Sequence, residues 1–286
     1  SSFDKTEEAL ADIDVVLTID SLNNDAVYMR GNILMADKQY AQAIENYSYV
    51  LRQNPSYQRA YVNRAIAKCM NKEFDAAVED FSTIIKSEPK NVAAYVNRGA
   101  VKAKYFDNDG AVEDFSKALA IQNDFTIAYV NRARVYAAMN EYDKALADAS
   151  SAISYDFDNS EFYLYRGLLL AEMKKYSGAV QDFSSSIDLF AGNVEAFYNR
   201  GVAYYELGKL SEAQADFSKA IEIDKTYGKA FYNRASLYYQ QGEYEKAIVD
   251  YAQSLRINPR YTRVLEHRAY AQYKIKDYDG AITDFD

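Results

Sequence analysis

Apolar residues along the chain return in a two-part beat. In residues 194–227, apolar positions run at helical spacing from Glu195 to Glu206, break at Gly208, and resume from Ser211 to Ile223. Side chains three and four apart share one face of a helix, so each stretch predicts an amphipathic helix of about a dozen residues. The unit then repeats in register. Gly201 aligns with Gly31, Ala65, Gly99, Ala133, Gly167, Ala235 and Ala269, every step being 34 residues with no insertion. Ala213 aligns on the same step with Ala43, Ala77, Ala111, Ala145, Ala179, Ala247 and Ala281. A strict period of this length predicts a solenoid of helical hairpins that grows by stacking.

With the shared Gly/Ala numbered position 8, the repeats occupy residues 24–57, 58–91, 92–125, 126–159, 160–193, 194–227, 228–261 and 262–286, the last being incomplete. Residues 1–22 follow the same scheme, because Ala9 falls one period before Ala43 and Asp12 one period before Asn46. They read as the second helix of an earlier repeat. Terminal repeats ordinarily carry a polar solvating face. Neither end does here, so the expectation is a fragment of a longer protein. Gly208, Gly242 and Asn140 stand where a left-handed residue ends a helix, and Pro55, Pro89 and Pro259 stand just past second helices.

The small residues at positions 8 and 20 predict close approach of the two helices of a hairpin. Tyr61, Tyr95, Tyr129 and Phe197 at position 4 are expected to fill the flanks against Phe81, Phe115, Phe183 and Phe217 at position 24. Two repeats depart: Ala149 replaces the aromatic at position 24, and Asn108 replaces the one at position 17, where Tyr105 and Phe106 stand near enough to compensate. The pattern resembles the tetratricopeptide repeat family over nearly the whole chain. Its small residues at 8 and 20, aromatics at 4, 17 and 24 and proline at 32 match Gly201, Ala213, Phe197, Tyr244, Phe217 and Pro259. The resemblance implies an all-α, right-handed superhelical solenoid of antiparallel helix pairs, its first helices lining a concave groove.

Composition narrows the chemistry. Apolar residues make up 49% of the chain, enough for a continuous core, and three prolines and 11 glycines leave little material for long loops. No apolar run approaches the roughly 20 residues of a membrane span. A net charge of -9 argues against nucleic acid, which requires a basic face. Cys69 is the single cysteine and His267 the single histidine, so internal disulfides, thiolate metal cages and histidine-based triads are out of reach. No cofactor is implied. The lone cysteine suits a reducing, cytoplasmic compartment, although removal of an upstream leader would leave the same sequence. Cys69 reads as a small hydrophobe, and the scattered carboxylates read as solvated faces.

Arginine occupies position 7 in all eight repeats, and aspartate occupies position 23 in all but the first, which has Asn46. A structural ladder of ion pairs, within repeats or between them, is preferred here over ligand binding. Binding is sought in the groove. The resemblance directs positions 2, 5, 6, 9, 12 and 13 into it. Asn63, Asn97, Asn131, Asn199 and Asn233 then offer carboxamides to a ligand's main chain. Val62, Ile66, Val96 and Val130 offer an apolar half, and Tyr198, Tyr205, Tyr232 and Tyr239 a stacking half. The two-carboxylate clamp of chaperone-binding members is not matched: its nearest counterpart, Tyr198, Val202, Asn233, Arg263 and His267, has the first two positions wrong. The expected function is a non-enzymatic scaffold that holds an extended peptide or partner segment. The alternatives are the recruiting arm of a larger enzyme and a module that self-associates end to end.

Overall fold

The computed structural model describes residues 2–105 and 107–285, with side chains from Thr6 onward; Phe106 lies outside the described residues. Among them are seventeen helices and no strand. After α1 (Ser2–Ile19) the helices alternate as first and second members of each repeat. They are α2 (Asn24–Ala36) and α3 (Tyr40–Gln53), α4 (Gln58–Met70) and α5 (Phe74–Ser87), α6 (Val92–Lys104) and α7 (Asn108–Ile121), and α8 (Thr126–Ala138) and α9 (Tyr142–Tyr155). There follow α10 (Ser160–Glu172) and α11 (Tyr176–Leu189), α12 (Val194–Glu206) and α13 (Leu210–Ile223), α14 (Gly228–Gln240) and α15 (Tyr244–Ile257), and α16 (Thr262–Lys274) and α17 (Tyr278–Phe285). Residues 1–148 form one compact unit and residues 149–286 a second, the division falling within α9. Within each unit helices consecutive in sequence pack on one another, which is the all-α solenoid expected.

Seven of the first helices end on a residue at position 15 with positive φ, the eighth such position, Phe106, lying outside the described residues. Gly208, Gly242 and Asn140 adopt it at +74°, +80° and +62°, and so do Lys38, Lys72, Lys174 and Lys276 at +57° to +67°. The hydrogen bonds explain the choice. At the end of α12 the Gly208 N–H donates to the Tyr205 carbonyl at 2.9 Å and the Lys209 N–H to the Tyr204 carbonyl at 2.9 Å, the paired bonds that close a helix through a left-handed residue. Lys72 and Glu73 repeat this geometry against Cys69 and Lys68. Four lysines thus hold a conformation that glycine adopts without steric cost.

The hairpin seam is tighter than its flanks. A Cβ on Gly201 would lie 2.8 Å from Phe217 Cε1, and one on Gly99 would lie 2.9 Å from Phe115 Cε1. The position 24 ring therefore rests directly on position 8, while position 4 rings such as Tyr61 and Tyr95 pack against the same cores that hold Phe81 and Phe115. Tyr47, Phe81, Phe115, Phe183, Phe217 and Tyr251 are essentially solvent-free there. Burying each such ring contributes about 1.5–3 kcal/mol relative to leaving it exposed. The position 4 rings also lie under guanidinium groups, with Arg64 5.5 Å from the Tyr61 ring and Arg200 5.5 Å from the Phe197 ring. Of the two residues expected to compensate at Asn108, Phe106 lies outside the described residues. Tyr105 caps α6 and stacks on Phe74 of the preceding repeat, centroids 5.4 Å apart.

The Arg–Asp ladder lies within repeats. Arg200 Nε donates to Asp216 Oδ2 and Nη2 to Asp216 Oδ1, both at 2.8 Å. The same fork joins Arg64 to Asp80, Arg98 to Asp114, Arg132 to Asp148, Arg166 to Asp182, Arg234 to Asp250 and Arg268 to Asp284. The remaining nitrogen reaches back one repeat. Arg200 Nη1 donates to Ser184 Oγ at 3.0 Å, and Arg64, Arg98, Arg132, Arg166 and Arg234 bond Ser48, Ser82, Ser116, Ser150 and Ser218 likewise. The first repeat relocates the charge. With Asn46 at position 23, Arg30 Nε stands 3.3 Å from Asp14 of α1, which occupies the place of those serines one period earlier. Lys68 and Lys102 add second cations to Asp80 and Asp114, each at 2.9 Å.

Two outcomes follow from these contacts. Lys72→Gly removes left-handed strain and should raise unfolding free energy by up to about 1 kcal/mol in urea titration, whereas Gly208→Ala should lower it by a similar amount. Asp216 is 8% exposed, so Arg200→Ala leaves a buried carboxylate unpaired and should cost about 3 kcal/mol. Arg98→Ala should cost less, because Lys102 still reaches Asp114. Double-mutant cycles should give the Arg30–Asp14 pair, 41% and 53% exposed, a coupling of only about 0.2–1 kcal/mol.

Candidate functional site

In the first unit α2 packs beside α4 and α6 beside α8. Their position 6 carboxamides differ in availability. Asn63 Nδ2 donates to Tyr28 Oη and to Asn32 Oδ1, both at 2.9 Å, and Tyr47 Oη donates to the same Asn32 oxygen at 2.9 Å. The Asn63 amide N–H groups are thus committed within the chain. Among the described residues, Asn97 and Asn131 have no hydrogen-bond partner. The cause lies one repeat earlier. Tyr28, at position 5, supplies the hydroxyl that meets Asn63, while Val62 and Val96, at position 5 of the next two repeats, have none to give.

Beside Asn131 is a depression of about 220 Å³ lined by Ala100, Ala103, Asn108, Phe115, Arg134, Val135 and Ala138. It exists because Asn108 is too small to fill the place of a position 17 aromatic. In the seventh repeat that aromatic, Tyr244, packs edge-on against Tyr239 with centroids 5.3 Å apart. The predicted apolar residues divide. Ile66 is 41% exposed and Val62 half-buried, whereas Val96 and Val130 are only 5% and 8% exposed and give a ligand little surface.

In the second unit the predicted tyrosines are largely engaged with the chain itself. The Tyr198 ring lies 5.9 Å from Phe217 and 5.3 Å from Tyr227, and its hydroxyl accepts from Asn233 Nδ2 at 3.2 Å. Tyr232 packs on Tyr251, Tyr261 and His267, with its hydroxyl 3.3 Å from His267 Nδ1. The position 5 to position 6 link across one repeat therefore recurs here. Asn199 follows Leu164, which has no hydroxyl, and turns to the Glu195 carbonyl at 2.8 Å. Burial raises the hydroxyl pKa values of Tyr198 and Tyr232 and pushes Tyr251 up to about 12, so these phenols stay neutral across the physiological range. Tyr205 remains 38% exposed, its hydroxyl accepting from Gln240 Nε2 at 2.8 Å.

These helices leave a cleft of about 470 Å³ bounded by Val202, Tyr205, Glu206, Tyr232, Asn233, Gln240, Arg263 and His267. An adjoining hollow of about 260 Å³ is walled by Tyr239, Tyr251 and Tyr270, sharing Ser236, Gln240 and His267 with it. Ser236 and Gln240 were not singled out by the sequence, although they occupy groove positions 9 and 13. Burial lowers the His267 pKa, and the Arg263 charge lowers it further. Half-buried Cys69 has its thiol pKa raised by burial, which makes it a poor nucleophile. Among the described residues no cluster of three or more His, Cys, Asp or Glu could hold a metal ion, and no helix is long and apolar enough to cross a membrane.

Comparison with curated proteins finds no significant match. Among solved structures, the C-terminal part of a repeat-containing protein from Cytophaga hutchinsonii aligns at TM-score 0.69 and 16% identity, covering 84% of this chain and 98% of that one. A tetratricopeptide repeat protein from Parabacteroides merdae aligns at TM-score 0.61 and 15% identity, covering 87% and 98%. YrrB, a repeat protein with an unusual peptide-binding site, aligns at TM-score 0.56 and 22% identity, covering 66% and 97%. At these identities the likeness is one of fold. Models described as tetratricopeptide repeat match residues 34–105, 130–194, 194–227 and 228–261, which together span most of the sequence. The chain belongs to the tetratricopeptide repeat family.

Proposed function

We propose that this chain is a protein-interaction scaffold that holds an extended segment of a partner along the first helices of its N-terminal unit. The repeat family supports the scaffold role. The single observation that carries the finer reading is the pair of free carboxamides, Asn97 and Asn131, equivalent positions on α6 and α8. Each can donate to a main-chain carbonyl and accept from a main-chain N–H at once. Asn63 has both its N–H donors, and Asn233 one of its two, committed to neighbouring side chains, so each offers a ligand less than Asn97 or Asn131 does. The depression over Asn108, floored by Ala100 and Ala103, leaves room for a backbone to approach. Tyr205 and Tyr239 remain candidates for stacking in the second unit, where Tyr198 and Tyr232 are tied by their neighbours. That YrrB, of similar fold, has an unusual peptide-binding site supports a peptide-binding reading.

Selection of displayed random dodecapeptides against the full chain, followed by fluorescence anisotropy on the best binder, tests the reading. Two hydrogen bonds to neutral groups are worth about 0.5–1.5 kcal/mol each, so Asn97→Ala with Asn131→Ala should weaken binding by about tenfold or more at unchanged helicity. Asn199→Ala, whose amide already serves its own helix, should change affinity less than threefold by the same estimate. Unchanged affinity in the double variant, or selection yielding no binder, would overturn the assignment of these two residues.

A further inference from the structure

Two successive turns of the second unit carry large apolar side chains into solvent. Phe157 stands in the turn from α9 to α10; α11 ends on Leu189, and Phe190 begins the turn to α12. They are 67%, 42% and 55% exposed. First helices α10 and α12 pack side by side, so the turns that feed them lie on one edge of the unit. The equivalent turns are built differently. Phe157 stands where other repeats have Pro55, Pro89 and Pro259, and Phe190 where they have Asn54, Asp224 and Asn258. The Phe190 ring is seated on bare backbone, since a Cβ on Gly192 would lie 2.8 Å from its Cζ. A ring held this way loses little freedom when a partner covers it. Singly exposed apolar side chains are ordinary on a surface, but three on neighbouring turns mark an interaction site.

The charge around these side chains has one sign. Asp156 and Asp158 flank Phe157, and Asp188 precedes Leu189. No lysine or arginine occurs in residues 145–165 or 176–199. Other turns bring cations, as Arg52 with Arg59, Lys86 with Lys90, and Arg256 with Arg260 do. Asp158 and Asp188 are exposed and form no ion pair among the described residues. We propose that this edge is a docking surface for a cationic amphipathic segment of a partner protein. The segment's apolar side chains cover Phe157, Leu189 and Phe190, and its lysines or arginines face Asp156, Asp158 and Asp188.

Charge complementarity selects this occupant. A second copy seated face to face brings each aspartate onto a patch of its own sign, and an anionic lipid surface meets the same repulsion. The surface is also separate from the groove. Its residues occupy positions 29 to 33 of their repeats, outside the first-helix positions assigned to the groove, and it does not involve Asn97 or Asn131. Exposed carboxylates are screened, so the aspartates select and orient the segment while the apolar side chains hold it.

The test uses fluorescein-labelled amphipathic peptides about 14 residues long, titrated against the full chain by anisotropy. One is built of leucine and lysine; the controls replace every leucine with serine or every lysine with glutamate. The Leu/Lys peptide should bind about tenfold tighter than either control, the Ser/Lys peptide reporting the bulk attraction of an acidic chain. Phe157→Ser with Phe190→Ser should bring it to the Ser/Lys level. Asp158→Asn with Asp188→Asn should weaken it severalfold and flatten its salt dependence. Bound peptide should slow amide hydrogen exchange in residues 154–160 and 188–194. Circular dichroism establishes that the helices persist; if the phenylalanine pair unfolds the chain, the aspartate pair and the exchange map decide. Equal binding of Leu/Lys and Ser/Lys, no binding of Leu/Lys, indifference to both double variants, or protection confined to other segments would each overturn the proposal. A dimer, or binding to phosphatidylcholine vesicles, that Phe157→Ser with Phe190→Ser abolishes would assign the surface to a second copy or to lipid instead. The Asn97→Ala, Asn131→Ala double variant should bind Leu/Lys normally; loss of binding there would place the peptide in the groove and sink this proposal while leaving the groove reading intact.

Discussion

A guanidinium that grips a buried carboxylate in its own hairpin and a serine in the hairpin before it fixes three helices relative to one another. Arg200 does this with Asp216 and Ser184, and the arrangement is renewed at nearly every repeat. The planar fork is what makes it workable. Two parallel donors satisfy both carboxylate oxygens, the third points backward, and the flat face rests on the position 4 ring. A lysine in the same place could supply charge but not three directed contacts. The aspartate is almost out of water, so its partner matters more than a surface ion pair would. The small residue at position 8, immediately after the arginine, lets the position 24 ring close over the seam. Charge and packing are thereby set at one level of the hairpin.

The repeats share this frame and differ in what they leave over. The position 6 asparagines are one residue type on one helical face, yet position 5 of the preceding repeat decides their fate. A tyrosine there consumes the next carboxamide, as with Tyr28 and Asn63, and a valine leaves it open, as with Val62 and Asn97. The same logic turns tyrosines that looked available into structural members. Tyr198 and Tyr232 each stack between aromatic rings of their own repeat. Surface left for partners is what remains after neighbouring repeats have satisfied one another.

Breaks in the pattern have local consequences that the average repeat conceals. Asn108 in place of an aromatic leaves a hollow beside Asn131. Asn46 in place of an aspartate shifts the Arg30 partner to Asp14 of α1, exchanging a buried pair for an exposed one. Lysine in place of glycine at four helix ends retains left-handed geometry because the closing hydrogen bonds persist.

The sequence by itself determined the repeat length, the helical class, the family and the regular Arg and Asp series, because each is written as a residue type returning every 34 positions. It also marked the glycine and asparagine helix ends, where backbone preference is local. Tertiary structure decided everything that depends on a partner from another repeat. It joined Arg to Asp within the hairpin and to Ser across it, seated position 24 on position 8, and separated free carboxamides from engaged ones. It also opened one hollow at Asn108 and brought Arg263 and His267 beside a tyrosine-walled space. The reason is physical: hydrogen bonding and burial are properties of pairs, and pairs 16 or 35 residues apart meet only when helices pack.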